Sequence, residues 1–108
     1  MEEFYDTDKQ KKVEEKQERD EQRFDNDMKK ILSMPEGRRM FHRFFRDCGI
    51  HTSSFTGNST TFFKEGERNI GLIWLRHIMK AKPEAYTQMI QENYSEIKSF
   101  QKLQEEKK

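Results

Sequence analysis

The side chains best suited to chemistry are basic groups clustered between positions 38 and 46. Arg38, Arg39, Arg43 and Arg46 follow one another closely, with His42 among them. Such a cluster could contact the phosphates of a nucleic acid. Carboxylates that could neutralise the same surface are also present, at Glu36, Asp47, Glu65 and Glu67. Structural ion pairs are therefore the favoured interpretation, and nucleic-acid binding stays open as the alternative.

A metal site or a catalytic centre has weaker support. The candidate metal ligands are His42, His51, His77 and Cys48. They lack the compact spacings typical of zinc sites. The serines beside His51 have neither the glycine-flanked turn of a nucleophile elbow nor an acid placed to orient the histidine. We therefore expect no enzymatic activity and no cofactor.

Composition limits the function further. The 108 residues are 31% hydrophobic and 38% charged, with a formal net charge of +1. That balance gives no overall basic field to attract nucleic acid. The single cysteine cannot form an internal disulfide. The N-terminus lacks the positive region and apolar run of a secretory signal, and no apolar run is long enough to span a bilayer. A soluble intracellular protein is expected.

The elements that must position these groups are helices. We predict an all-α fold, with a compact helix-loop-helix core flanked by long N-terminal and C-terminal helical arms. Pro35 and Pro83 each suit the first position of a helix, with Ser33 or Met34 as the cap before Pro35. Gly49 suits the residue after a helix end. The predicted units are a charged arm at residues 1–32, a core domain at 33–92 and an extension at 93–108.

Most large apolar residues lie between positions 35 and 89. We expect Trp74 to lie in the core beside Phe62, Phe63 and Ile70. Phe24, Met28, Ile31 and Leu32 keep helical spacing, so the end of the first helix should dock on that core. The preceding residues are almost all polar, which favours a solvated arm.

Both arms carry a few apolar residues that are too sparse to form a core. These predicted interface residues are Phe4, Tyr5, Tyr94, Ile97, Phe100 and Leu103. Apolar groups spaced along a projecting helix are best buried at an interface. We therefore expect a homo-oligomer or a complex with another protein.

Several motifs in the middle of the chain resemble a family of short tailed-phage proteins named after a Bordetella phage member. The similar segments are Pro35-Glu36-Gly37-Arg38-Arg39, Ser54-Phe55, Gly57-Asn58-Ser59, the Phe63 to Leu72 helix and the Pro83 to Met89 segment. The resemblance covers about half of the chain and leaves out both arms. By residue type alone, the Gly57-Asn58-Ser59 turn is a helix cap, with an anion-binding nest as the alternative.

The resemblance implies a non-enzymatic virion protein, structural or associated with DNA ejection, that is assembled in the bacterial host cytoplasm. Its expected partners are portal, tail or internal virion proteins. It implies that Arg38 or Arg39, and Arg68, pair with carboxylates, and that Gly66 and Gly71 admit a neighbouring helix. The implied fold and docking residues are Pro35, Gly37, Arg38, Arg39, Phe55, Gly57, Asn58, Gly66, Arg68, Asn69, Gly71, Pro83 and Tyr86. A nucleic-acid-binding phage protein using residues 38–46 is the competing hypothesis.

Overall fold

The computed structural model describes residues 2–53, 57–58 and 60–107, with side chains from residue 7 onward. Its elements are α1 (Glu2–Leu32), α2 (Pro35–Cys48), α3 (Thr60–Ala81) and α4 (Pro83–Glu106). The described residues contain no strand, so the all-α prediction is confirmed. None of the helices described is long and apolar enough to cross a membrane.

The predicted helix boundaries reflect local backbone chemistry. Met34 is the N-cap of α2 in an extended conformation, and Pro35 follows at the first helical position. The Ser33 hydroxyl donates a hydrogen bond to the carbonyl of Lys30 instead, so no Ser33–Glu36 capping box forms. Gly49 ends α2 in the left-handed conformation with φ of 72°, as predicted. Pro83 begins α4 in the same way as Pro35 begins α2.

The core draws on all four helices. Its buried hydrophobic residues are Met28, Leu32, Phe45, Ile50, Ile78, Ala81, Ala85 and Met89. Leu32 and Ile78 are fully buried. The end of α1 thus docks as its spacing predicts, and its last turns contribute core residues that lie before the predicted boundary at residue 33. The division into 1–32, 33–92 and 93–108 remains a prediction.

Aromatic rings surround Trp74, which is half-buried. The ring centroids of Phe24, Phe41 and Phe44 lie 5.7, 6.3 and 6.5 Å from that of Trp74. The indole therefore fills the junction between α1, α2 and α3. Offset and edge-on contacts at these distances are favourable beyond the area that they bury.

The prediction that Phe62, Phe63 and Ile70 join Trp74 in the core is wrong. Their exposed fractions are 84%, 73% and 51%. The buried side of α3 contains Gly71 and Ile78. Phe62 lies nine residues before Gly71, half a turn away around the helix, and so points from the core. Phe63 and Ile70 lie roughly a quarter of a turn around the helix from Gly71, where the other helices leave them largely exposed.

The molecule is elongated. Its Cα radius of gyration is 20.5 Å, against about 13 Å for a compact domain of this length. From residue 7 to Arg23, the side chains of α1 are exposed. Lys80 of α3 contacts α1 near the point where this helix reaches the core. Its ammonium lies 3.9 Å from a carboxylate oxygen of Glu21 and 3.6 Å from one of Asp25. The two long helices, α1 and α4, therefore project from a small core.

Candidate functional site

Arg38 is a buried charge that joins three helices. Only 6% of the residue is exposed. Its Nε donates to Glu92 Oε1 of α4 at 2.9 Å, and its Nη1 donates to the carbonyl oxygen of Leu32 at the end of α1 at 2.9 Å. A buried guanidinium needs such partners, because losing its hydration is costly. Arg38 therefore fixes where α4 crosses the α1–α2 junction.

Gly37 makes the Arg38 contacts possible. A Cβ at this position would overlap the carbonyl and side chain of Ile31. The missing side chain lets the first turn of α2 lie directly against the last turn of α1. Arg38 then reaches the free carbonyl of Leu32, which is an ordinary acceptor at a helix end. The Pro35-Glu36-Gly37-Arg38 motif is thus a helix junction in this chain.

The predicted arginine surface of α2 needs correction at Arg38, which is buried against α4 rather than exposed. Arg39, Arg43 and Arg46 are exposed. Arg39 lies 3.8 Å from a carboxylate oxygen of Glu36, while Arg43 and Arg46 lie 3.9 and 3.8 Å from Asp47. Such loose exposed pairs contribute little stability. The exposed surface holds three guanidinium groups beside two carboxylates.

The structure agrees with some of the roles predicted for α3 residues and not with others. At Gly71 a Cβ would lie 2.6 Å from Ile50 and 2.7 Å from Cys48, so this glycine does admit its neighbours. Among the described residues, no atom lies within 4 Å of a Cβ at Gly66. Arg68 Nε is buried and donates no hydrogen bond to any described residue, so its predicted carboxylate partner is not found at that atom. Asn69 is exposed.

The loop before α3 is described only in part. Gly57 has a positive φ of 78°, which its lack of a side chain permits. Asn58 Oδ1 accepts hydrogen bonds from the backbone N–H of Thr60 at 3.0 Å and from its hydroxyl at 2.7 Å. This side chain therefore caps the start of α3. Phe55 lies outside the described residues.

Tyr86 connects the loop after α2 to α4. A hydrogen bond of 2.8 Å joins Tyr86 Oη and His51 Nε2, and the two rings stack with centroids 6.2 Å apart. Burial raises the pKa of the Tyr86 phenol. The pair borders a cavity of about 250 Å³ whose other polar residues are His42, Arg46, Thr52 and Asn93. The contact holds the loop on the helix.

Cys48 is a free thiol that is half-buried against α3. Burial is the main cause that raises its pKa, and the carboxylates of Glu67 and Asp47 raise it further. A thiol held in its protonated form is a poor nucleophile and a poor metal ligand. The described residues contain no group of three His, Cys, Asp or Glu side chains that could hold a metal ion.

The outer half of α4 presents an exposed apolar surface, which we name the α4 face. It consists of Tyr94, Ile97, Phe100 and Leu103, which are 58%, 48%, 61% and 60% exposed. Leu103 follows the buried Ala85 by eighteen residues, or about five helical turns. Phe100 follows the buried Met89 by eleven, or about three turns. Phe100 and Leu103 therefore continue the side of the helix that enters the core, while Ile97 and Tyr94 lie further around the helix.

The side chains of Phe4 and Tyr5, which were predicted to act with the α4 face, lie outside the described part of the structure. Val13 is the one apolar residue between positions 7 and 23, and it is 55% exposed. Between residues 7 and 23 the N-terminal arm is thus almost entirely polar, whereas the C-terminal arm is amphipathic.

A second apolar surface is a groove of about 480 Å³ between the first three helices, which we name the groove. It is lined by Ile31, Gly37, Met40, Phe41, Phe44, Ile70 and Trp74. Met40 is 75% exposed at its edge. The sequence alone did not point to this surface, because the aromatic residues of α2 and α3 were assigned to the core. Glu92 was also missed, although it follows Ala85 by seven residues and so shares its side of α4.

Comparison with known families places the chain among phage proteins. The model of the family described as Bbp19-like phage protein matches residues 28–91. The match begins at the buried Met28 and takes in the Gly37–Arg38 junction, Gly71 and Tyr86. No curated protein and no solved structure matches the chain. Since the matched region is more than half of the sequence, this chain belongs to the family of Bbp19-like phage proteins.

Proposed function

We propose that this phage protein is a non-enzymatic virion component, structural or associated with DNA ejection. It acts through helix-mediated assembly with copies of itself or with portal, tail or internal virion proteins. Membership of a phage protein family supports a role in a phage. The assembly role rests on the surface of the molecule.

The observation that carries the proposal is the continuity of α4. Ala85 and Met89 are buried on one side of this helix, and the same side continues outward through the exposed Phe100 and Leu103 of the α4 face. Contiguous exposed apolar residues are uncommon on a soluble monomer and mark interaction surfaces. The helix thus carries the apolar side of a core element beyond the core, where a second protein surface would bury it.

The polar contacts of Arg38 and Tyr86 support an architectural role as well. Arg38 is engaged by Glu92 and Leu32, and the Tyr86 hydroxyl is engaged by His51. These contacts position helices and a loop. Arg38 and Tyr86 in this way hold α4 against the rest of the molecule.

Nucleic-acid binding through residues 38–46 is the second candidate function. It is favoured by the three exposed guanidinium groups of α2, whose carboxylate partners lie no closer than 3.8 Å. The overall charge of +1 and the burial of Arg38 weigh against it. Salt-sensitive binding of DNA that Arg39→Ala and Arg43→Ala weaken would support this role. No binding at low salt would dismiss it.

Mass spectrometry of purified particles of the encoding phage tests the assembly role. We expect the chain to be present in intact particles, and comparison with particles that have ejected their DNA would show whether it leaves with the genome. Phe100→Glu should remove it from the particle, because a charge on the α4 face opposes its burial. The control Ser95→Glu lies five residues before Phe100, on the far side of α4, and should be incorporated normally. Particles that lack the wild-type chain would contradict the proposal.

A further inference from the structure

The groove is the surface that the assembly proposal leaves unused. Its lining comes from α1, α2 and α3, whereas α4 packs on the other side of α2 through Arg38 and Phe45. Phe63 is 73% exposed and lies seven residues before Ile70, about two helical turns, so it lengthens the apolar side that the groove presents. The molecule therefore carries two uncovered apolar surfaces, on separate sides of α2.

The two surfaces match in length and character. The α4 face extends over ten residues, or roughly 14 Å of helix from the first Cα to the last. The line from Phe63 through Ile70 to Trp74 on α3 extends over twelve residues, or roughly 17 Å. A helix that lies in a groove is recognised through apolar anchors spaced three or four residues apart, and the α4 face has that spacing. The lining of the groove contains no charged residue, and the ammonium of Lys98 lies over the Tyr94 ring of the α4 face, 5.0 Å from its centroid.

Buried area distinguishes the ways in which copies could combine. At about 200 Å² for each large apolar side chain, the exposed fractions of these residues leave roughly 450 Å² uncovered on the α4 face and a similar area on the groove extended by Phe63. Two α4 faces packed together would bury about 900 Å², which is less than the roughly 1,200 Å² of a stable interface. Two reciprocal contacts between an α4 face and a groove would bury about 1,800 Å², within the usual range.

From these observations we propose that two copies of this chain exchange their fourth helices, so that the α4 face of each copy lies in the groove of the other. The formal charge of +1 leaves little repulsion between identical copies. This inference rests on the proposed assembly role and names its first partner as a second copy. In the dimer Phe100 and Leu103 lie against Met40 and Ile70 of the other copy.

Sedimentation equilibrium of matched variants tests the exchange. The α4-face variant is Phe100→Glu, with Ser95→Glu on the far side of α4 as its control. The groove variant is Ile70→Glu, and its control is Met79→Glu on the opposite side of α3. The two side chains are similarly exposed, Met79 at 47% and Ile70 at 51%. We expect the wild-type chain to form a dimer. We expect the dissociation constant of each surface variant to be about thirtyfold higher or more, as for the loss of a central interface residue. Both controls should dimerise normally.

An equimolar mixture of the two surface variants gives the decisive result. The α4 face of the Ile70→Glu chain and the groove of the Phe100→Glu chain are intact, so one contact can form and a dimer weaker than wild type should appear. If Ile70→Glu dimerises like wild type while Phe100→Glu does not, the α4 faces pair with each other and the exchange is wrong, although assembly stands. A monomeric wild-type chain also refutes the exchange, and the particle experiment then decides the assembly role. Circular dichroism of each variant shows that its helices are retained.

Discussion

Arg38 and Glu92 join α2 to α4 through a 2.9 Å ion pair at the point where α4 leaves the core. The arginine is buried, and about one-third of the glutamate side chain is exposed. The same guanidinium bonds the last residue of α1. One side chain thus sets the direction in which the α4 face projects. The consequences for stability can be measured on the isolated chain.

Arg38→Ala should lower the free energy of unfolding by about 2–4 kcal/mol, near the range for removing one partner of a buried ion pair. The loss leaves Glu92 and the carbonyl of Leu32 without their donor. Urea denaturation measures it. Arg39→Ala is the control, since Arg39 is exposed and its change should stay within about 0.5 kcal/mol. Equal losses at both positions would contradict the assignment of Arg38 as the junction.

Replacing the two α3 glycines by alanine should have opposite effects on the free energy of unfolding. Gly71→Ala places a Cβ against Ile50 and Cys48, and overpacking of this kind costs about 1–3 kcal/mol. Gly66→Ala meets no described atom and should stabilise the helix by about 0.5–1 kcal/mol. Thermal or urea unfolding of the two variants measures the difference. Stabilisation by Gly71→Ala would show that α2 and α3 are not in close contact there.

The phenylalanines of the sequence should divide into structural and exposed ones. Phe45→Ala should cost about 3–5 kcal/mol, because Phe45 is 2% exposed. Phe62→Ala should change the free energy of unfolding by no more than about 0.5 kcal/mol, because Phe62 is 84% exposed. A large loss of stability at Phe62 in a monomeric sample would restore the original prediction that this residue belongs to the core.

Alkaline pH should destabilise the chain through Cys48. Its pKa is raised in the folded state by burial and by the carboxylates of Glu67 and Asp47, so the folded chain holds the thiol proton more tightly than the unfolded chain. That contribution is present below the ordinary thiol value of 9.0 and is lost as pH rises through the folded pKa. Urea denaturation between pH 8 and pH 10 measures the decline.

Cys48→Ala is the control for this pH dependence. It removes the thiol, so the decline above pH 9 should become shallower, while the raised pKa of Tyr86 still contributes at higher pH. Alkylation gives an independent check: the folded wild-type thiol should react more slowly than the unfolded one, since the thiolate is the nucleophile. Rapid alkylation of the folded chain near neutral pH would contradict a protected thiol.

Much of the fold could be read from the sequence because its signals are local. Pro35, Gly49 and Pro83 act through their own backbone chemistry, so the helix boundaries followed directly. The docking of Met28 and Leu32 followed from their helical spacing. Membership of the phage family followed from motifs whose order is specific.

The remaining features depend on which helices meet. Phe62 and Phe63 are apolar, yet no pattern within α3 tells how far the other helices extend along it. Arg38 was grouped with the exposed arginines because its partner, Glu92, is fifty-four residues away. The groove likewise exists only through the contact of three helices. Spacing gives the side of a helix on which a residue lies but leaves its partner open.

Amide hydrogen exchange of residues 93–106, followed as the concentration of the chain rises, tests whether the α4 face is an assembly surface. In a dilute monomeric sample these amides should exchange rapidly, while those near Met28, Ile78 and Met89 stay protected. Protection of residues 93–106 should then increase as copies associate or when a virion partner is added. Protection equal to that of the core in a dilute monomer, unchanged on association, would contradict the proposal.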